Sequence, residues 1–296
     1  MTYIEFSDLF KNEESCKQFL KEHREKQGLS CRKCDCKKHY WKADKQVWEC
    51  SHCKYRMSLK AGTAMHGSKL SLKTWFTAYY FVLQTKKSYS SCEMQRLLGL
   101  KRYETVWYLI HRIRQQMSKH NLQQYFKSFF DNTPDFQIPV KTRNQKNREF
   151  KLEKAFVLKE SRALLKNKTK PDTFLIVALK NGENSTKKDT RYRLLNYDFQ
   201  NNYGFRTSNY IPNQKSNWVQ HVSTNANRIL DGIHHLCNPG LAQLYFDEYS
   251  FKFNYKKIKQ DLKIMILKLF TEVGVFTDNH KTFAKLVRPI TYFRNT

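Results

Sequence analysis

Acidic residues are scarce in this chain of 296 residues, where 26 Asp and Glu stand against 54 Lys and Arg. The formal net charge of +28 is far beyond what solubility requires. Such an excess favours a polyanionic partner, nucleic acid above all. The alternative is a basic, solvated surface without a specific partner.

Long hydrophobic runs are absent as well. No apolar run reaches about 18 residues, so no membrane span is expected. The opening stretch MTYIEFSDLFKNEES lacks the basic and then apolar pattern of a secretory signal peptide. We therefore expect a reducing cytoplasmic location, where paired cysteines more often bind metal than form disulfides. Apolar content of 40% and aromatic content of 15% still indicate a folded protein.

Cysteine is sparse, with 8 in the chain, yet four fall within residues 31–53 as two Cys-x-x-Cys pairs. Two such pairs at this spacing predict one structural Zn²⁺ site with four thiolates and no open position. The predicted ligands are Cys31, Cys34, Cys50 and Cys53. A redox dithiol explains one pair but not two at this spacing. Three neighbouring residues are interpreted as non-ligands: Cys36, His39 and His52.

The segment between the cysteine pairs predicts a β-hairpin, because strand formers flank the turn residues 43–45. These strand formers are Tyr40, Trp41, Val47 and Trp48. Upstream, the pattern predicts a helix that Asn12 caps and Gly28 ends. Cys16 and His23 lie on its apolar stripe and are interpreted as packing residues.

Three helical patterns follow residues 60–70. The first has an apolar face of Leu72, Trp75, Phe76, Tyr79 and Leu83. The second is short and ends at Gly99. The third has an apolar stripe of Val106, Leu109, Ile110, Ile113 and Met117.

The last two helices predict a helix-turn-helix unit that reads double-stranded DNA, with an ordinary three-helix packing unit as the alternative. Four basic residues are expected on or near the other faces of the third helix: Lys101, Arg102, Arg112 and Arg114. The residues expected to contact DNA here are Lys101, Arg102, Tyr103, Thr105 and Arg112.

Residues 7–117 resemble the N-terminal half of ISXO2-like transposases of the IS1595 family. The resemblance is carried by CRKC, by WECSHC, by the segment GTAMHGSKL with the WF that follows it, and by HRIR. It departs at the cysteine turns, where the family usually has Pro after the first Cys and Gly after the second. This chain has Arg32 and Asp35, then Ser51 and Lys54. We expect a degenerate, domesticated member of this family with a nucleoid-associated location.

The resemblance also implies an RNase H-like domain that cuts and joins DNA with two divalent metals held by acidic residues. Asp131 is the expected remnant of the first acidic position, with Asp135 as the fallback. Asn225 matches the third position in one branch, but Asn227 stands where that branch has Lys and Gln220 where it has His.

The second acidic position has no convincing match, because the stretch from the strand at 174–179 to Trp218 is short. Ser208 stands where an Asp would fit, while Asp189 and Asp198 lack a recognisable setting. We therefore predict a transposase-derived, zinc-dependent DNA-binding protein without cleavage activity. One alternative is an active transposase that uses Mg²⁺; another is a basic scaffold protein that binds RNA or a large assembly.

The remaining patterns concern the C-terminal half. Residues 174–179 predict a buried strand that enters a turn at Asn181-Gly182, with a return strand at 191–199. A closing helix is expected after Asn238 and Pro239, with Glu248 in a structural role. The segment 137–170 is densely basic and is either a solvated linker or a phosphate-binding arm, with residues 151–168 able to form a helix. Its leading cations are Lys141, Arg143, Lys146 and Arg148.

The expected fold is thus α/β, with a zinc ribbon and helix-turn-helix followed by a shortened RNase H-like domain. The predicted division is residues 1–70 for the first helix and ribbon, 71–118 for the helix-turn-helix, 119–270 for the RNase H-like domain with its basic insertion at 137–170, and 271–296 for a tail. A homodimer is left open.

Overall fold

A computed structural model describes residues 1–85, 87–125, 130–143, 150–160, 174–178, 217–234 and 242–256. These ranges hold a mixture of helices and two sheets. The helices are α1 (Tyr3–Leu9), α2 (Glu13–Gln27), α3 (Leu72–Gln84), α4 (Ser91–Leu98), α5 (Tyr103–Tyr125), α6 (Asn217–Ile229, continued by a short π-helix at Leu230–His234) and α7 (Ala242–Lys256). The strands are β1 (His39–Lys42), β2 (Val47–Cys50), β3 (Arg56–Ser58), β4 (Phe130–Arg143), β5 (Phe150–Glu160) and β6 (Phe174–Ala178). Within these ranges no helix has the length and apolar character needed to cross a membrane.

The predicted first helix is confirmed as α2. The Asn12 side chain accepts a hydrogen bond from the Ser15 N–H at 2.8 Å, and Gly28 follows the last turn with φ of 84°. Cys16 is fully buried, which confirms its packing role. A further helix, α1, was not predicted from the sequence; Thr2 and Glu5 form a capping box at its start.

The predicted hairpin is confirmed, and β3 adds a third strand that the sequence analysis did not identify. The strands are antiparallel in the order β1-β2-β3. Trp41 lies opposite Trp48, with their ring centroids 4.9 Å apart. On α2, Arg24 lies over the Trp48 ring at 4.9 Å, and Glu25 accepts the Trp48 indole N–H at 3.0 Å. The inner face of the ribbon is therefore fixed against α2 by aromatic packing and a hydrogen bond.

The predicted apolar faces of α3 and α5 are confirmed, since every residue of both faces is buried in one shared core. Ser71 caps α3, and the carboxylate of Glu13 also accepts the N–H groups of Leu72 and Lys73 at 2.8 and 3.0 Å. A glutamate of α2 thus satisfies the free donors at the start of α3.

Gly99 ends α4 as predicted, in the left-handed region with φ of 62°. The Leu100 N–H donates to the Gln95 carbonyl at 3.2 Å, and α5 begins at Tyr103. The two helices are therefore joined by the short connection 99–102.

The second sheet is antiparallel in the order β4-β5-β6. The expectation of helix within residues 151–168 was wrong for 151–160, which form β5. This strand pairs on both sides, with β4 and with β6, so its backbone groups are satisfied by partners that local propensity cannot foresee. The predicted strand at 174–179 is confirmed as β6. The turn at 181–182, the return strand at 191–199, Asn238 and Pro239 lie outside the described residues.

A buried ionic cluster joins α5 to α7. The Arg114 Nε lies 2.7 Å from Glu248 Oε2, and the Lys252 Nζ lies 2.6 Å from Glu248 Oε1. Arg114 and Glu248 are each 1% exposed. Burial alone would raise the pKa of Glu248, but Lys252 and Arg114 outweigh it and hold the pKa well below its usual range. The structural role expected of Glu248 agrees with this arrangement.

The placement of Arg114 away from the buried side of α5 was wrong. The helical stripe puts Arg114 beside Ile113, but the sequence pattern contains no sign that α7 covers this side of the helix. The guanidinium also lies over the Tyr245 ring at 4.1 Å.

The helix α5 continues through residue 118, where the sequence analysis placed a domain boundary. That boundary stays a prediction.

Replacing Glu248 by Leu should destabilise the protein by about 3–5 kcal/mol, because Arg114 and Lys252 would remain buried without their counter-charge. The matched control is Glu49→Leu, which removes a carboxylate paired with Lys42 and Arg56, two side chains that are 48% and 56% exposed. We expect that control to cost under about 1 kcal/mol. Urea unfolding followed by tryptophan fluorescence measures both, and equal losses would contradict the buried-pair argument.

Candidate metal centre and nucleic-acid interface

The side chains of Cys31, Cys34, Cys50 and Cys53 converge at one point. Their sulfur atoms all lie within 4.8 Å of one another. The Cys31–Cys53 sulfurs are 3.4 Å apart, Cys34–Cys53 3.3 Å and Cys34–Cys50 3.6 Å. A tetrahedral Zn²⁺ with Zn–S bonds of about 2.3 Å requires sulfur separations of about 3.8 Å. The spacing therefore fits a closed four-thiolate zinc site, and it is too long for disulfides.

Both cysteine turns have the same backbone geometry. In the first, the Cys31 N–H donates to the Cys36 carbonyl at 2.9 Å and the Asp35 N–H donates to the Cys31 carbonyl at 2.8 Å. In the second, the Cys50 N–H donates to the Tyr55 carbonyl at 2.9 Å, and the Lys54 N–H donates to the Cys50 carbonyl at 3.2 Å. Each turn thus presents two sulfurs from one tight loop.

The residue after the second cysteine of each turn adopts a left-handed conformation. The φ angles are 53° for Asp35 and 58° for Lys54. This conformation is unfavourable for any residue with a Cβ atom, by roughly 1–2 kcal/mol, and aspartate tolerates it better than lysine. The geometry explains why glycine suits these two positions, and it shows that the chain forms both turns without glycine.

Backbone donors favour the thiolate form of Cys31 and Cys50. The Lys33 N–H lies 3.4 Å from the Cys31 sulfur. Burial alone would raise the pKa of Cys31, but the N–H groups of Lys33 and Cys34 outweigh it and bring the pKa to about 7. The Cys53 N–H, followed by that of His52, lowers the pKa of Cys50 in spite of burial. Zinc binds thiolates, so these donors assist metal binding.

The neighbouring side chains lie outside the sulfur cluster. Cys36 Sγ is 3.4 Å from Ser51 Oγ, and His39 Nδ1 is 3.1 Å from the Lys37 carbonyl. His52 is exposed. Among the described residues, the four cysteines form the only group of three or more potential ligands close enough to hold a metal.

The start of α5 presents the residues expected to contact DNA. Lys101, Arg102 and Tyr103 are exposed, and Thr105 is half-buried. Tyr108, one turn further along, is 48% exposed. This end of α5 is therefore available to a partner, and it carries two cations.

Arg112, also expected to contact DNA, is half-buried and engaged within the protein. Its Nη1 donates to the Ala64 carbonyl at 3.3 Å and to the His66 carbonyl at 2.7 Å. Burial lowers the pKa of Arg112. Arg112 thus anchors residues 60–70, which we call the connector; the sequence offered no signal for this contact.

The two residues expected to be catalytic remnants, Asp131 and Asn225, lie on neighbouring elements. Asp131 lies in β4 opposite Lys159, and Asn225 is exposed on α6, which packs against β4. Asp135 also lies in β4. The candidates for the second acidic position, Asp189, Asp198 and Ser208, lie outside the described residues.

The basic arm is described only in part. Lys141 and Arg143 lie in β4 opposite Leu152 and Phe150. They are two residues apart in this strand. Lys146 and Arg148 lie outside the described residues.

A group of aromatic and histidine side chains around the buried His111 was not identified from the sequence. His111 of α5 stacks on Trp107, with ring centroids 3.8 Å apart, and His234 lies 4.4 Å from the Tyr245 ring. Burial lowers the pKa of His111 to about 3, so this imidazole is neutral at physiological pH.

Comparison with known proteins matches residues 11–56 to the family of transposase zinc-ribbon domains of the IS1595 type. The matched range begins at the capping region of α2 and ends in β3, so it includes both cysteine turns. No curated protein and no solved structure matches the chain. The N-terminal part of the chain thus matches a transposase-type zinc ribbon, and its cysteine cluster supports a structural zinc ion. The ISXO2 branch stays a prediction.

We expect one Zn²⁺ per chain, and we expect chelation to unfold the ribbon because zinc binding and folding of such sites are coupled. Elemental analysis gives the stoichiometry, and tryptophan fluorescence reports the ribbon through Trp41 and Trp48. Cys34→Ser should lose the metal. The matched control Cys36→Ser should keep it, and zinc well below one per chain in the unmodified protein would contradict the site.

Replacing Lys54 by Gly should stabilise the zinc-bound protein by about 0.5–1 kcal/mol, because glycine adopts the left-handed conformation without a Cβ clash. Thermal unfolding of the zinc-bound protein measures the change. Lys45→Gly is the control, since Lys45 is also exposed but is not among the described residues with positive φ. A lower midpoint for Lys54→Gly than for the control would count against strain at this turn.

Proposed function

We propose that this chain is a zinc-dependent protein of transposase descent that binds double-stranded DNA without cleaving it. One observation carries the proposal: a transposase-type zinc ribbon is packed through α2 onto helices whose longest member, α5, exposes Lys101 and Arg102 at its start. The net charge of +28 supports a polyanionic partner.

The helices α4 and α5 serve as a helix-turn-helix unit in this proposal. Gly99 makes the sharp turn between them, and the first turn of α5 enters the major groove. Arg102 is the leading base contact, because arginine pairs with guanine through two hydrogen bonds. Lys101, Tyr103 and Thr105 complete the contact surface. Arg112 supports this surface from behind, by holding the connector.

Zinc holds the ribbon in shape and takes no part in chemistry, because four thiolates leave no position for water or substrate. The ribbon in turn fixes α2, whose Glu13 caps α3. Metal binding thereby supports the helical unit to which α5 belongs.

Lys141 and Arg143 of β4 add contacts to phosphate. Such contacts increase affinity for every sequence, and each contact adds to the salt dependence of binding. Together with α5, they give the protein two separate cationic surfaces.

The C-terminal part is assigned to a shortened RNase H-like domain that has lost cleavage. The antiparallel order β4-β5-β6, with Asp131 near the start of its first strand, supports this assignment. Two-metal chemistry requires several oxygen ligands that converge on both ions. Asp131 and the neutral Asn225 do not supply such a set.

An active transposase is the second candidate. The observation that favours it is the packing of α6 against β4, which places Asn225 and Asp131 on adjacent elements. Cleavage would then depend on a second carboxylate from the segment between β6 and α6.

Arg102→Ala should reduce discrimination between a selected duplex and a random duplex by about 1–3 kcal/mol, because a bidentate base contact is lost.

The double variant Lys141→Ala/Arg143→Ala should weaken binding to the selected and the random duplex equally, and it should reduce the salt dependence of binding. Selection from a random duplex library, then titrations at several salt concentrations, measures both. Equal loss on both duplexes for Arg102→Ala would argue against groove reading; tighter binding of RNA than of any duplex would favour the scaffold alternative.

The protein should not cut or join DNA, since loss of even one ligand in a two-metal site usually costs orders of magnitude in rate. The assay incubates a duplex that the protein demonstrably binds with Mg²⁺ or Mn²⁺, beside an Asp131→Ala variant. We expect no cleavage from either protein. Divalent-dependent cleavage that Asp131→Ala abolishes would restore the active transposase.

A further inference from the structure

The connector, residues 60–70, lies between the ribbon and α3 and is held as a preformed loop. Its Ala61, Thr63, Ala64 and Met65 are buried, whereas His66, Gly67 and Lys69 are exposed. A segment with a buried body and a polar, exposed tip presents that tip to a partner in a fixed orientation.

Three side chains hold this loop from outside the tip. Arg112 of α5 donates to the Ala64 and His66 carbonyls. The Lys60 ammonium donates to the carbonyls of Ser68, at 3.2 Å, and Leu70. The Trp75 indole N–H of α3 donates to Ser68 Oγ at 3.0 Å.

Hydrogen bonds within the loop complete its shape. The Thr63 hydroxyl donates to the Lys60 carbonyl at 2.8 Å and accepts the Met65 N–H at 3.1 Å. The Ser68 N–H donates to the Met65 carbonyl at 3.0 Å. Gly67 has φ of 70°, a left-handed conformation that favours glycine, although the surrounding space is open.

Arg112 also determines where the tip lies relative to α5. Glu104, Tyr108 and Arg112 are four residues apart and so share one face of the helix. Glu104 and Tyr108 are exposed, and at Arg112 this face meets the connector. The rise along the helix from Tyr103 to Arg112 is about 14 Å, close to the width of about 12 Å of the major groove.

The distance of about 14 Å along α5 from its first turn to the connector is comparable to the distance across the major groove. In an orientation in which α5 enters the groove with its first turn and crosses the groove edge further along, the connector lies about one groove width from that turn, near the phosphate backbone. The carboxylate of Glu104 repels phosphate near the start of the same face, whereas Lys69 attracts it at the connector.

We propose that the connector tip, residues 66–69, is a preformed contact for the DNA phosphate backbone beside the groove that α5 reads. The inference rests on the proposed DNA binding and assigns a second surface to it. Lys69 supplies the main charge, and His66 and Ser68 supply hydrogen-bond donors. Because the loop is already held, little ordering is required on binding.

The test compares Lys69→Ala and His66→Ala/Lys69→Ala with the unmodified protein on selected and random duplexes at several salt concentrations. We expect about a five- to tenfold weaker affinity on both duplexes for the double variant, with the slope of log K against log salt reduced by about one. Preference between the duplexes should not change. The matched control is Lys26→Ala, which removes the same charge from an exposed position on α2.

Zinc content and thermal unfolding of each variant check that the fold is intact, and we expect both to be unchanged because the substituted side chains are exposed. If Lys69→Ala and the double variant bind like Lys26→Ala while Arg102→Ala loses its preference, the connector contact is wrong and the proposed function survives. If the unmodified protein binds no duplex even at low salt, the proposed function itself fails.

Discussion

The ion pairs of the Glu248 carboxylate hold α7 against α5, and the arrangement of the C-terminal helix on the N-terminal helices depends on them. Each carboxylate oxygen faces a buried cation, Arg114 from α5 or Lys252 from α7 itself. A buried charge without its partner is costly, so α5 cannot rotate or slide without exposing or stranding one of these groups. The helix proposed to read DNA is therefore fixed in orientation by a residue more than a hundred positions later in the chain. Asn121 adds a second tie between these helices, since its amide donates to the Asp247 carbonyl at 2.9 Å.

The aromatic residues around this ionic cluster show that α5 belongs to both halves of the chain. Tyr245 contacts Arg114, and its ring lies 5.9 Å from His111 and 4.4 Å from His234. Phe251 of α7 is part of the same buried core as the helices α2 to α5. The helix α7 therefore packs directly on the helix that carries the proposed DNA-facing surface. That helix, α5, is itself part of the core.

The features that could be predicted from the sequence are those encoded locally. The ribbon cysteines, the hairpin and the faces of α3 and α5 each depend on residues close in sequence, where spacing and periodicity are decisive. Arg112 and Arg114 show why the rest could not be predicted. Both appeared as cations on a helix surface, yet one binds connector carbonyls and the other a buried carboxylate. The same holds for β5, whose basic sequence is compatible with a helix. It forms a strand because it pairs with β4 on one side and β6 on the other.

A structural zinc site and a two-metal catalytic centre differ in how well they tolerate unfavourable residues. At the ribbon, Asp35 and Lys54 accept a left-handed backbone at roughly 1–2 kcal/mol each. A structural zinc contributes about 10–16 kcal/mol of apparent binding energy, so the strain is a small fraction of what the metal supplies. A two-metal catalytic centre has no such reserve, because its rate depends on the position of every ligand and a displacement of about 1 Å costs orders of magnitude. A chain of this kind can therefore keep a zinc ribbon with unfavourable turns, and the helices that rest on it, after the carboxylate set needed for cleavage has become incomplete.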